Sequence, residues 1–142
     1  ADSDEGRENR MRMAQTVRES GTRPIATAMV PDLLAESTRE NAPGIADAVR
    51  SMILGTPAAT VVAALAGMAA RPDSTGDLAG IAVPTLVVVG EEDAITPPAD
   101  AHAMADAIPD AELRTIPGAG HLSSLENPEA FNTALRELLD RV

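Results

Sequence analysis

The sequence predicts an α/β chain. A helical segment, residues 1–70, precedes a β-α-β-α segment, residues 71–142, whose two parallel strands make an incomplete sheet. Three observations predict this. Before Arg71 the apolar residues recur only at helical spacing. After it, Thr85-Leu86-Val87-Val88-Val89 is a continuous, largely β-branched run, as in a parallel strand covered on both faces. Each candidate strand also ends in a loop with a chemically capable side chain. These are Gly90-Glu91-Glu92-Asp93 after the first and Pro117-Gly118-Ala119-Gly120-His121 after the second.

The elements follow in order. Residues 7–20 read as a charged helix with Met11, Met13, Ala14 and Val17 as its apolar part, ended by Gly21. Residues 24–34 read as a second helix, with Pro31 inside it marking a kink or break. Ile45, Val49, Met52 and Ile53 fall at i, i+4, i+7 and i+8, one face of a third helix that Gly55 closes. Thr56 as N-cap and Pro57 as first helical residue open a fourth, with Val61, Val62, Leu65, Met68 and Ala69 as its buried stripe. Residues 71–80 are a polar linker to the first strand. Thr96-Pro97-Pro98 caps the next helix, whose inner face is Ala101, Met104, Ala105 and Ile108. Glu112 to Ile116 alternates as a strand, and Asn127-Pro128 caps a last helix lined by Phe131, Leu135, Leu138, Leu139 and Val142.

Composition excludes several functions. The net charge of −11 offers no basic patch for nucleic acid or for an anionic membrane surface. With no cysteine, disulfides, thiol nucleophiles and cysteine metal sites are excluded. Thiol-free composition fits a cytoplasmic location, and no apolar run reaches the length of a membrane span. Phe131 is the sole aromatic residue, so the core must be built from small aliphatic side chains. The opening Ala1-Asp2-Ser3-Asp4 carries neither Met nor a signal peptide, which suits an internal cut.

Several stretches together resemble the C-terminal half of α/β-hydrolases, with the 3-oxoadipate enol-lactonase and small-ester hydrolase branch nearest in pattern. They are residues 84–93, Thr96-Pro97-Pro98, Gly118-Ala119-Gly120-His121-Leu122 and Glu126-Asn127-Pro128. The resemblance implies that residues 1–70 form the helical cap and residues 71–142 the core segment with the last two strands. It also implies a Ser-His-Asp triad whose acid and histidine come in this order. No Gly-x-Ser-x-Gly occurs in the chain. Nucleophile and oxyanion hole are therefore expected outside it, and the chain alone is expected to be inactive. The implied substrate is a small-molecule carboxylic ester or lactone, with no cofactor and no metal. Related epoxide hydrolases and haloalkane dehalogenases use cap tyrosine and tryptophan, which this chain lacks. Two strands leave an apolar edge that invites pairing. The missing N-terminal half, a second copy or the chain's own helices would cover it. The alternative is a non-catalytic, helix-rich fragment that folds alone or as a dimer.

Within this frame His121 is the candidate general base and Asp93 the candidate acid. Imidazole suits proton shuttling because its unperturbed pKa, about 6.5, lies near working pH. Asp2 and Asp4 are rivals for the acid, since some family members draw it from after the sixth strand. Glu91, Glu92, Asp93 and His121 show no metal-ligand spacing such as His-x-x-x-His. His102 reads as a surface histidine. None of Ser3, Ser20, Ser37, Ser51, Ser74, Ser123 and Ser124 has the glycine setting of a nucleophile elbow. Met29, Leu33, Leu34, Met52, Ile53 and Leu65 suggest an aliphatic pocket, or simply core.

Overall fold

The structure, a computed structural model, describes residues 1–141. The expected contribution of Val142 to the last helix lies outside them. The elements are α1 (Asp4–Ser20), α2 (Arg23–Leu33), α3 (Glu36–Asn41), α4 (Pro43–Gly55), α5 (Ala58–Ala70), β1 (Leu86–Gly90), α6 (Pro98–Ala107), β2 (Glu112–Ile116), α7 (Ser123–Glu126) and α8 (Pro128–Leu139). The expected polar linker contains a 3-10 turn over Thr75–Gly80. The chain divides into two compact units, Ala1–Val30 with Asp47–Ser74, and Pro31–Ala46 with Thr75 onward. Leu33 and Leu34 thus group with the second unit. The division falls at Val30–Pro31, and α2 runs through Pro31 to Leu33.

The first unit is helical, and α1 packs along α5. The Ser3 hydroxyl caps α1 by accepting from the Gly6 N–H at 3.0 Å, and Asp4 and Glu5 sit in the positive first turn. At the other end Gly21 takes φ +71° and donates its N–H to the Val17 carbonyl. Ala14, Val17 and Leu65 are buried, whereas Met11 is 60% exposed. Thr56 is not the N-cap of α5: Pro57 holds that place, and the Thr56 hydroxyl donates back to the Met52 carbonyl. No single helix among the described residues is long and apolar enough to cross a membrane. Pro43–Gly55 and Ala58–Ala70 meet that length and composition only as a pair bent by 95°.

In the second unit β1 and β2 pair in parallel, with α6 as the crossover. The register runs from Leu86 opposite Glu112 to Gly90 opposite Ile116. Val87 and Val89 bury one face of β1 against Ala101 and Ile108, with Leu78, Ile81 and Leu113 at the margin. Leu86 and Val88 on the other face are only half-buried, so the strand is not covered on both faces as its sequence suggests. Among the described residues β1 pairs with β2 alone, and its outer edge carries no strand. Met104 is 44% exposed, off the inner face of α6. Asn127 caps α8 as expected, its Oδ1 accepting from the Ala130 N–H, and Pro128 is the first helical residue.

Candidate functional site

Because the two strands are parallel, the loops that follow them leave from the same end of the sheet. Open α/β sheets carry their chemistry at this carboxyl end. Gly90 lies opposite Ile116, so the acid loop and the histidine loop start side by side. Backbone hydrogen bonds then join them: Glu91 N–H donates to the Ile116 carbonyl at 3.0 Å, and Glu92 N–H to the Ala119 carbonyl at 2.9 Å. The Gly118 N–H donates to the Glu91 carboxylate at 3.1 Å. Gly118 itself takes φ +61°, a left-handed turn that glycine adopts without a Cβ penalty.

The two loops approach closely because glycine occupies both contact points. A Cβ on Gly90 would lie 2.0 Å from the Gly120 carbonyl oxygen and 2.4 Å from that of Ala119. A Cβ on Gly120 would lie 2.7 Å from the Ala35 nitrogen. Residues 33–36, the turn between α2 and α3, therefore form the third segment of this junction. The Leu33 carbonyl accepts from the Leu122 N–H, and the Glu126 carboxylate accepts from Gly120 N–H at 2.9 Å and from Ala35 N–H at 2.7 Å. Sequence reasoning missed the role of Glu126. Its place five residues after His121, just before the Asn-Pro cap, was the available signal.

His121 and Asp93 meet in the middle of this framework. The Nδ1 atom of His121 lies 2.9 Å from Asp93 Oδ2 and 3.2 Å from Oδ1. Asp93 is buried at 7% exposure, while the His121 side chain is 33% exposed. The Asp93 carboxylate also accepts at Oδ1 from the Ile95 and Thr96 N–H groups, both at 2.9 Å, and at Oδ2 from the Thr96 hydroxyl at 2.9 Å. Burial pushes its pKa up. The donors from Thr96, His121 and Ile95 more than offset burial and hold the carboxyl below the ordinary range. With anionic oxygens facing Nδ1, that nitrogen carries the proton, and Nε2 has no hydrogen-bond partner among the described residues. A buried acid thus orients a half-exposed imidazole that keeps one basic nitrogen available.

The other candidates stand elsewhere. Asp2 is committed to Arg10 and to Arg71, the latter at 3.2 Å, and the Arg10 guanidinium holds its carboxyl below the usual range. Asp4 is exposed and paired with Arg7. His102 is exposed on α6, and neither Ser123 nor Ser124 bonds to His121. Among the described residues no three His, Cys, Asp or Glu side chains gather as a metal site. Thr96 does not cap α6. Pro97 holds that position without a side-chain bond, and the threonine turns back to Asp93. The Asp-x-x-Thr spacing was its signal, since Asp side chains commonly capture amides two and three residues on.

Residues 4–134 match the model of the alpha/beta hydrolase family. The chain belongs to that family. Among α/β-hydrolases of known structure it is similar to a thermophilic esterase from Thermogutta terrifontis, at 48% identity and TM-score 0.96 over 99% of this chain and 52% of the esterase. It is also similar to the enol-lactonase from Burkholderia xenovorans, at 26% identity and TM-score 0.86 over 94% of this chain and 50% of that one. Over 128 residues it is 31% identical to 3-oxoadipate enol-lactonase 2 of Acinetobacter baylyi, covering 90% of this chain and 47% of the relative. The chain spans about half the length of the hydrolases it matches.

Proposed function

We propose that this chain supplies the cap (residues 1–70) and the C-terminal core (residues 71–142) of a cytoplasmic serine hydrolase that cleaves a carboxylic ester or lactone. The observation that carries the reading is the Asp93–His121 pair. A buried carboxylate holds Nδ1 at 2.9 Å, in loops that follow two parallel strands in the acid-then-histidine order. The kinship with an esterase and with enol-lactonases supports the substrate class.

In this reading His121 Nε2 takes the proton from a serine hydroxyl as that oxygen attacks the acyl carbon. It later returns the proton to the leaving alkoxide. Asp93 keeps Nδ1 protonated and stabilises the imidazolium, without itself taking the proton. Serine and oxyanion donors come from an N-terminal piece outside this sequence, on the same polypeptide or on a separate one, which also pairs with the outer edge of β1. No cofactor takes part.

Native mass spectrometry combined with a fluorophosphonate probe tests this. The expected result is a labelled serine outside these 142 residues, on a bound second polypeptide or on a longer form of the chain, with ester turnover abolished by His121→Ala. A labelled serine within these residues, or turnover by the chain alone that survives His121→Ala, would overturn it. The edge of β1 that pairs with no strand among the described residues favours one second reading, a non-catalytic fragment that folds alone or as a dimer. A homodimer mass without probe labelling or turnover supports that reading.

A further inference from the structure

We infer that Thr96 is a positioning residue for the acid–histidine pair. Its hydroxyl fixes the plane of the Asp93 carboxylate and locks His121 in the tautomer that leaves Nε2 free. The inference rests on reading Asp93 and His121 as acid and base.

The two carboxylate oxygens are held in different ways. Oδ1 accepts from the backbone N–H groups of Ile95 and Thr96. Any non-proline residues at 95 and 96 could supply those donors. They secure one oxygen but leave the group able to pivot about it. Apart from the imidazole, the only donor to Oδ2 among the described residues is the Thr96 hydroxyl at 2.9 Å. It fixes the second oxygen and hence the plane offered to the ring. The residue as a whole is exposed, so core packing does not account for where the hydroxyl sits.

The same hydroxyl lies 3.3 Å from His121 Nδ1. It has one proton, and that proton goes to Oδ2. Towards the ring it can therefore only accept. Nδ1 then faces Asp93 Oδ1, Asp93 Oδ2 and the threonine oxygen, all acting as acceptors. An unprotonated Nδ1 would put its lone pair against three others. Thr96 thus does two things with one proton: it orients the acid and closes the wrong tautomer.

The test needs no substrate, because the chain holds two histidines and exposed His102 serves as an internal reference. Long-range proton–nitrogen NMR of the full chain reads the tautomer of each ring. In the wild type His121 should show a protonated Nδ1 and His102 the mixture typical of free imidazole. Thr96→Val keeps the backbone donor and most of the volume while removing the hydroxyl. It should lower the Nδ1–H to Nε2–H ratio of His121 about fivefold, the worth of one neutral hydrogen bond. Thr96→Ser should restore the wild-type ratio, and Thr96→Ala serves if the valine variant does not fold. A wild-type ratio in Thr96→Val, or in the alanine variant used in its place, would overturn the inference alone. A His121 in the wild type that resembles His102 would overturn the pairing beneath it as well.

Discussion

Two glycines in each unit meet opposite surroundings. In the helical unit a methyl group added at Gly55 or Gly67 would find nothing within 4 Å. In the strand-bearing unit, one added at Gly90 or Gly120 would collide with backbone atoms of a neighbouring loop. The first unit is held through side chains: Ala14, Val17 and Leu65 are buried, and Asp2 gathers Arg10 and Arg71. At the end of the sheet the second unit adds direct backbone contact at Gly90 and Gly120 to the carboxylates of Glu91 and Glu126 that bridge its loops. Direct backbone contact leaves little slack, which suits a pair whose hydrogen bond must be set to within tenths of an ångström. Side-chain packing tolerates more adjustment.

The largest effect expected from this difference is at Gly90. Gly90→Ala places a methyl 2.0 Å from a carbonyl oxygen that belongs to backbone and cannot swing aside. Overpacking in a tight core costs about 1–3 kcal/mol and occasionally more, and this contact should reach about 3 kcal/mol or beyond. Gly120→Ala meets Ala35 at 2.7 Å and should cost about 1–3 kcal/mol. Urea denaturation measures both. A Gly90→Ala variant as stable as the wild type would remove the contrast between the units.

Next in size is Glu126→Gln. The carboxylate accepts two backbone N–H groups, one on each oxygen. The amide is isosteric but has only one acceptor oxygen, so its NH2 must face a donor at Gly120 or Ala35. Leaving a partly buried donor unsatisfied costs about 1–3 kcal/mol. Hydrogen exchange should show protection lost at one of these two amides and kept in α5. Uniform loss in both units would mean that Glu126 supports global stability rather than this junction.

Acid should reveal one carboxylate in each unit. Asp2 and Asp93 both titrate below the ordinary range when folded, Asp2 chiefly through the Arg10 hydrogen bond and Asp93 because its donors outweigh burial. A depressed folded pKa gives stability that is complete above the unfolded carboxylate value of about 4. That stability is lost as pH falls through the lower, folded value. Stability should therefore be level from neutral pH down to about 4 and fall below it. Asp93→Asn and Asp2→Asn should each flatten part of that fall. Asp2 pairs with a guanidinium, so salt should weaken its share more than that of Asp93.

How much of this was legible in sequence depends on how many residues each feature uses. β2 and the Asn127 cap were readable because alternation and an Asn-Pro start are local patterns. α3 and α7 were not: Glu36–Asn41 contains no aliphatic residue, and Ser123–Glu126 is about one turn, too short for a period to show. Thr56 and Thr96 both resembled N-caps, since a threonine before proline is a common helix start. In each case a nearby acceptor, the Met52 carbonyl or the Asp93 carboxylate, took the hydroxyl instead. Asp93 and His121 were legible as loop residues with the right chemistry. The close approach at Gly90 and Gly120 was not, because each depends on an atom at least 29 positions away in sequence.

The smallest effect has the opposite sign and completes the comparison. Gly67 lies inside α5, exposed, with open space where its Cβ would point. Glycine in a helix interior is about 0.5–1 kcal/mol worse than alanine, because the unfolded chain has more backbone freedom to lose. Gly67→Ala should therefore stabilise the protein by about 0.5–1 kcal/mol, read as a raised urea midpoint at unchanged slope. The same substitution that disrupts the second unit at Gly90 should strengthen the first at Gly67. The deciding quantity is the distance from a built Cβ to the nearest backbone atom. A destabilising Gly67→Ala would mean that the helix face at this position packs against something, and the outer face of α5 would then be an interface.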